Sequence, residues 1–393
     1  MASTIVVADD RYTEKALQNL IAVLRTAGAA MADRLVVRCV SGTLSIEAPT
    51  VRPGAMLIQI PQDCLVPLKA FQLGLVSDEI MISSPHSRLK SSTTEIAEAM
   101  FEIYNLCGKV AQHRRTSPWS LIASHRDLLP YVTPPSHDDL PFSAKDIRSG
   151  NDAKVMLASF LHSRVLTHQP SDRAKPSSVL VPITDFLNHH SRGAPYSYGR
   201  HGAVVMRRSA PLPGKGDECF ASYGFHDAYD TWLTYGFVDD EVPFVQSLPT
   251  TVDLSRFGRI RLGEIPLARE SDGTEPLPRD PEFYVPRLLG RKGNHLKVGA
   301  VVIPGPQVPR ALRRALRVLI GELGVPRQQH RDLVRCAEEQ ILHANLTYYD
   351  ELKSCLEGLS VDDDAHSAIR ANFIRLCDEQ VARIGNYQSY AAD

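Results

Sequence analysis

The chain has 393 residues, with 44 basic and 45 acidic side chains for a net charge of −1, and is 43% apolar and 23% charged. That balance creates no strong field and argues against nucleic acid as an obligatory partner, while the apolar content excludes wholesale disorder. No apolar run approaches the roughly 18 residues a spanning helix needs, and acids follow directly on the short apolar run of the opening MASTIVVADD. Neither a membrane anchor nor a secretory signal is expected.

In chain order, Leu17, Leu20, Ile21 and Leu24 recur at helical spacing between Tyr12 and Ala27, and Gly28 stands where the helix should stop. Leu35 to Val40, Leu44 to Ile46 and Met56 to Ile60 are short β-prone runs separated by Ser-Gly and Arg-Pro-Gly turns, and predict a small antiparallel sheet. Thr94 to Gln112 and Asp152 to His168 have helical periodicity and predict a helical insertion over 78–168. Strand texture returns at Val179 to Ile183, Ala203 to Arg207 and Glu218 to Ser222, before a loop-rich connector with some strands over 246–309, of which Ser271 to Pro281 is the most polar part. From Arg310 onward the pattern is helical, with one stripe of Leu312, Leu316, Leu319 and Ile320 and another of Leu333, Ala337, Ile341 and Leu342. The fold class this predicts is α+β.

The seven cysteines, Cys39, Cys64, Cys107, Cys219, Cys336, Cys355 and Cys377, are odd in number and never spaced as C-x-x-C. That pattern matches neither a zinc cluster nor a disulfide framework, so reduced thiols in a cytoplasmic or other reducing intracellular compartment are expected.

Two segments concentrate polar and aromatic side chains: Pro182 to Ser191, PITDFLNHHS, and Cys219 to Val238, CFASYGFHDAYDTWLTYGFV. The D-x-x-N-H pattern after an apolar strand, then S-Y-G, then a helix ending in Y-G-F-V, resembles SET-domain methyltransferases of the Rubisco large-subunit lysine methyltransferase type. Gly54 to Pro61 (GAMLIQIP), Phe160 to Val165 (FLHSRV) and Arg310 to Glu322 (RALRRALRVLIGE) resemble further stretches of the same family, which extends the resemblance over nearly the whole chain. It implies a SET-type β-fold over 1–77 and 169–245, split by the helical insertion and followed by a helical C-terminal domain over 310–393 that engages a protein substrate.

The resemblance also implies S-adenosyl-L-methionine as cofactor and methyl transfer to a lysine side chain of a protein. Tyr223 becomes the active-site tyrosine. Asn188 and His189 contact the cofactor, as do Tyr223, Phe237 and the positions of Leu44 and Ile46; Arg164, Asp185 and Tyr235 shape the acceptor cleft. The family's Gly-x-Gly-Leu turn is reduced here to Ser41-Gly42-Thr43-Leu44, and Leu166 and His168 replace an aromatic and an arginine. Those departures keep open a histidine or small-amine acceptor, and also a catalytically silent binding scaffold.

Without the family, the residues allow several readings. In-line methyl transfer to an amine needs positioning more than acid or base, and a phenol hydroxyl with carbonyl oxygens suffices to orient a neutral amine. Tyr223 suits that task, but a tyrosine packed at a strand end fits S-Y-G equally. Asn188 suits a cofactor's polar end or an Asx turn, and His189, His190 and Asp185 could form a metal site. Adjacent histidines rarely share one ion and no other cluster has ligand spacing, so no metal is expected. Arg164 could instead be a solvated helix residue, and Phe237 plain core.

Overall fold

The computed structural model describes residues 4–85, 89–132, 143–169, 175–263, 284–308 and 310–392. The chain is α+β, and it divides into two compact units. The first comprises Met1–Leu129, Thr133–Gly224 and Thr234–Gly236; the second comprises Pro130–Val132, Phe225–Leu233 and Phe237–Asp393.

In the first unit, β1 (Ile5–Ala8) leads into α1 (Arg11–Thr26), whose N-terminus is capped by the Asp10 carboxylate accepting from the amides of Tyr12 and Thr13. Thr13, Ala16, Leu17, Leu20, Ile21 and Leu24 form its buried stripe, as the periodicity predicts. After β2 (Ala30–Met31), the strands β3 (Val36–Val40) and β4 (Thr43–Glu47) form an antiparallel hairpin, and β1 adds to β3 in parallel. The third expected partner goes elsewhere. β5 (Met56–Ile60) pairs with β2 and, downstream, with β13 (Val204–Arg207), as a central strand whose adjacent residues Leu57 and Ile58, on opposite faces, are both buried.

β6 (Val66–Pro67) is followed by an unpredicted hairpin of β7 (Phe71–Val76) and β8 (Glu79–Pro85), so the stretch after residue 78 opens on a strand. Helices α2 (Ser91–Leu106) and α3 (Lys109–Thr116) break at Cys107 and Gly108, where Gly108 takes φ 57°. The helices α4 (Pro118–Ser124), α5 (Ala144–Arg148) and α6 (Asp152–His162) complete the insertion. The helix expected over Asp152 to His168 ends early. Val165–His168 is strand β9, antiparallel to β10 (Ser177–Leu180), since Val165 and Thr167 are β-branched and a sheet partner is in register.

Beyond β10 come β11 (Asn188–Pro195), the short β12 (Ser197–Tyr198) beside β13, and β14 (Phe220–Ser222). β11 and β14 are parallel, and Ala221 faces both His189 and Ala194 across an irregular stretch. Gly193 closes that loop over Ala221. A Cβ on Gly193 would lie 2.4 Å from the Ala221 carbonyl carbon and 2.6 Å from its oxygen, so only glycine fits. One apolar core, from Leu17 and Leu20 through Ile58, Ile96 and Tyr104 to Phe186 and Ala221, joins α1, α2 and α6 to the strands between them.

The second unit receives most of α7 (Ala228–Tyr235) and contains a four-stranded sheet in the order Thr250–Asp253 (β16), Arg259–Leu262 (β17), His295–Val298 (β19), Leu288–Lys292 (β18). Phe244–Gln246 (β15) pairs with Val302–Pro304 (β20). The strands β16 to β20 thus stand between the loops of the connector; Ser271 to Pro281 falls outside the described residues. The helices α8 (Ala311–Glu322), α9 (His330–Glu357) and α10 (Asp364–Ala392) finish the chain. The first expected stripe is buried whole, and on α9 Val334 takes the buried place beside half-buried Leu333. Glu338, buried on α9, is held by Arg313 at 2.9 Å and by the Tyr387 hydroxyl. No described helix is long and apolar enough to cross a membrane.

Candidate active site

The D-x-x-N-H segment is delivered by a strained turn. The Thr184 amide donates to the Pro182 carbonyl at 2.7 Å, closing a γ-turn centred on Ile183 at φ 62° and ψ −44°. A β-branched residue there costs about 1 to 3 kcal/mol, and the complete burial of Ile183 holds it in place. Asp185 and Phe186 follow in a single 3-10 turn, and Asn188 starts β11.

Asp185 is the hub of a buried polar cluster. Its Oδ2 accepts from the Tyr104 hydroxyl at 2.6 Å and pairs with Arg164 Nη1 at 3.3 Å. Burial holds the Asp185 carboxyl above its ordinary value, against the pull of Arg164 and Tyr104. The Arg164 guanidinium lies 5.1 Å from the Phe160 ring centre and 5.7 Å from that of Tyr104, so it is partly wrapped in π-faces. Arg164 Nε is buried and has no hydrogen-bond partner among the described residues. A buried donor in that condition is costly, and it suits an anionic group such as a carboxylate.

Tyr223 lies across this cluster. Its hydroxyl donates to the Leu187 carbonyl at 2.6 Å, and its own amide donates to His189 Nδ1 at 3.2 Å. A neutral His189 therefore carries its proton on Nε2. The Tyr223 ring is 5.0 Å from the His189 ring and 4.9 Å from that of Tyr235, tilted against both. Burial raises the pKa of the Tyr223 phenol, so at neutral pH it is a hydrogen-bonding group and not a base. Gly236, after Tyr235, takes φ 79°, with its Cβ position 3.0 Å from the Thr116 carbonyl oxygen, which seats Gly236 against the end of α3.

The structure thus brings together Arg164, Asp185, His189, Tyr223 and Tyr235. Asn188 stands beside them at the head of β11, with its Nδ2 donating to Glu218 Oε1 at 2.7 Å. Leu44 and Ile46 turn their side chains into the core, so these positions offer backbone groups only, and the Ile46 carbonyl already accepts from the Cys219 amide at 2.8 Å. Phe237, half-buried, belongs to the second unit. Of the two altered positions, Leu166 is half-buried in β9, while His168 is buried, with Nε2 2.8 Å from the Gly202 carbonyl. Sequence reasoning missed Tyr104, concealed in the apolar stripe of α2, and Tyr196, whose hydroxyl is buried within the field of Tyr223, Asp185 and Tyr235. Among the described residues no group of three His, Cys, Asp or Glu side chains is arranged to hold a metal ion. Two cavities of about 180 and 150 Å³ lie elsewhere, one by Phe244 and Arg383 and one by Ser124 and Asp152.

No protein-family model and no curated protein matches the chain. Among solved structures it is similar to the SET domain of LSMT bound to lysine and AdoHcy, at 15% identity and a TM-score of 0.41, covering 96% of this chain and 91% of that one. It is also similar to Rubisco LSMT bound to AdoMet, at 14% identity and a TM-score of 0.39, covering 96% and 92%.

Proposed function

We propose that the chain is a SET-type, S-adenosylmethionine-dependent N-methyltransferase whose acceptor is a lysine side chain of a protein. The observation that carries this reading is the convergence on Tyr223: the D-x-x-N-H, S-R and S-Y-G motifs and Tyr235 meet around one half-buried phenol whose proton is committed to a main-chain carbonyl. The donated proton leaves the Tyr223 oxygen free to accept from an amine N–H, and the flanking rings of Tyr223 and Tyr235 suit a cationic neighbour.

The residues fit the cofactor in kind. Arg164 Nε offers a buried, unpartnered donor to a carboxylate, and Asn188 with the main chain of β11 offers amide groups to its polar ends. The cofactor supplies an electrophilic methyl group on a sulfonium centre. Every other task falls to the chain. Tyr223 and the Leu187 carbonyl orient the acceptor nitrogen, burial favours the neutral amine over the ammonium, and Asp185, fixed by Tyr104 and Arg164, shapes the cleft. In the same reading the helices α8 to α10 select the protein that bears the lysine.

Incubation with methyl-labelled S-adenosylmethionine and a cell lysate, followed by mass spectrometry of labelled peptides, tests the proposal. Label on lysine supports it. Label on histidine or on a small amine moves the acceptor, a reading favoured by the replacements at Leu166 and His168. No label together with no calorimetric binding of S-adenosylhomocysteine leaves a binding scaffold.

A further inference from the structure

We propose that Cys39 and Cys107 form a redox-active dithiol, which an organic or hydrogen peroxide converts into an intramolecular disulfide clamping the β3–β4 hairpin to the α2–α3 corner. This inference is independent of the methyltransferase reading.

The two Sγ atoms lie 3.2 Å apart, although 68 positions separate the residues in sequence. A disulfide needs about 2.05 Å, so closure asks for a shift of roughly 1.2 Å. One end is fixed and the other can give. Cys39 sits in the central strand of a three-stranded sheet, in register with Ala8 on one side and Leu44 on the other. Cys107 caps α2 at the break before left-handed Gly108, outside the regular run of either helix. The corner is already packed on the hairpin tip, since a Cβ on Gly42 would lie 2.7 Å from the Cys107 carbonyl oxygen.

The surroundings divide the roles. The bond from the Cys107 thiol holds Cys39 below the ordinary thiol range, and the Lys109 ammonium acts in the same direction. Cys107 is raised by that same bond and by burial. Cys39, the more acidic of the two, attacks once ionised, and Cys107 is the resolving thiol. Cys39 S⁻ attacks one peroxide oxygen, the O–O bond breaks, and hydroxide leaves to give the sulfenic acid. Cys107 then loses its proton and attacks that sulfur, and the S–O bond breaks with release of water. In sum two thiols and one hydrogen peroxide give one disulfide and two waters; both sulfurs are oxidised and both peroxide oxygens reduced. The sulfurs belong to residues only 4% and 5% exposed, so the reagent must be small.

The test uses the full chain with Cys336 and Cys355, the two cysteines that are not buried, replaced by serine to suppress intermolecular links. After hydrogen peroxide, peptide mass spectrometry is expected to find Cys39 joined to Cys107, about 2 Da lighter than the two thiols together and released by dithiothreitol. The melting temperature should rise by several degrees, because the link closes a long loop of the unfolded chain. A Cys107→Ser variant should stop at the sulfenic acid, read as a dimedone adduct on Cys39. Recovery of Cys39 and Cys107 as separate alkylated thiols, after peroxide that has fully oxidised Cys336 in the unsubstituted protein, overturns the proposal. So does a link that forms only in urea.

Discussion

The Tyr223 hydroxyl donates to the carbonyl of Leu187, 36 positions earlier in the chain, at 2.6 Å. This single bond joins the Ser-Tyr-Gly bend to the residue just before Asn188. Two separate demands therefore meet on one oxygen: it holds the segment together, and in the proposed mechanism it orients the acceptor amine.

Tyr223→Phe should show both. Loss of the bond leaves a buried carbonyl without its donor and should cost about 1 to 2 kcal/mol in urea denaturation. Turnover should fall about 100-fold or more, with cofactor affinity within about twofold, since small misplacements of the acceptor fall on the chemical step. Wild-type turnover in the folded variant removes Tyr223 from the mechanism.

Asn188→Ala removes the donor to Glu218 and one polar group at the head of β11. Binding of S-adenosylhomocysteine, measured by calorimetry, is expected to weaken by about 1 to 3 kcal/mol. Glu218→Ala, which removes the acceptor of that bond, provides the control for the structural half of that effect. If Asn188→Ala and Glu218→Ala lower affinity equally, Asn188 acts only by holding the strand.

The closed contact at Gly193 makes a steric prediction that is independent of function. Gly193→Ala should destabilise by about 2 to 4 kcal/mol, because a methyl group there meets the backbone of Ala221 and no flexible side chain can yield. Gly74 in β7 has open space at its Cβ position and an ordinary φ, so Gly74→Ala should be neutral or slightly stabilising. Equal melting temperatures for the two variants would refute the close approach.

His113 gives the protein an acid-labile step. It is buried beside Phe160, with Nε2 3.0 Å from Ser159 Oγ, and burial pushes its pKa down to about 3 from 6.5. Between those values the unfolded chain binds a proton that the folded chain does not, so stability falls as pH drops through the window. The loss should be about 2 kcal/mol at pH 5 relative to pH 7. His113→Gln, which can keep a bond to Ser159, should flatten that slope in urea titrations; an unchanged slope would assign it to other groups.

The sequence reveals what is local and periodic. The α1 stripe of Leu17, Leu20, Ile21 and Leu24, and the Leu312 to Ile320 stripe, stand in the structure as the spacing predicts, because each buries one face of one helix. Partner choice between strands was less visible. Nothing in Met56–Ile60 says that β5 crosses to β13, a pairing set by tertiary packing. In the candidate site, Asp185, His189 and Tyr223 were singled out through the resemblance carried by D-x-x-N-H and S-Y-G, and the structure sets them close together. Tyr104 was not, since an aromatic at helical spacing beside Met100 and Ile103 reads as core until its hydroxyl is seen on Asp185. Ile183 carries no signal at all, because a left-handed β-branched residue is imposed by its surroundings and not by its own preference.

The double pairing of Ala221 with His189 and Ala194 has a kinetic consequence. One residue cannot occupy the fork while the loop of 190–193 is already closed around empty space, so the two strands must order together. Asn188, His189 and Tyr223 are then expected to acquire their positions together, in one nonlocal event. In native-state hydrogen exchange the amides of β11 and β14 should open with one common free energy, as one cooperative unit, while α1 opens independently of them.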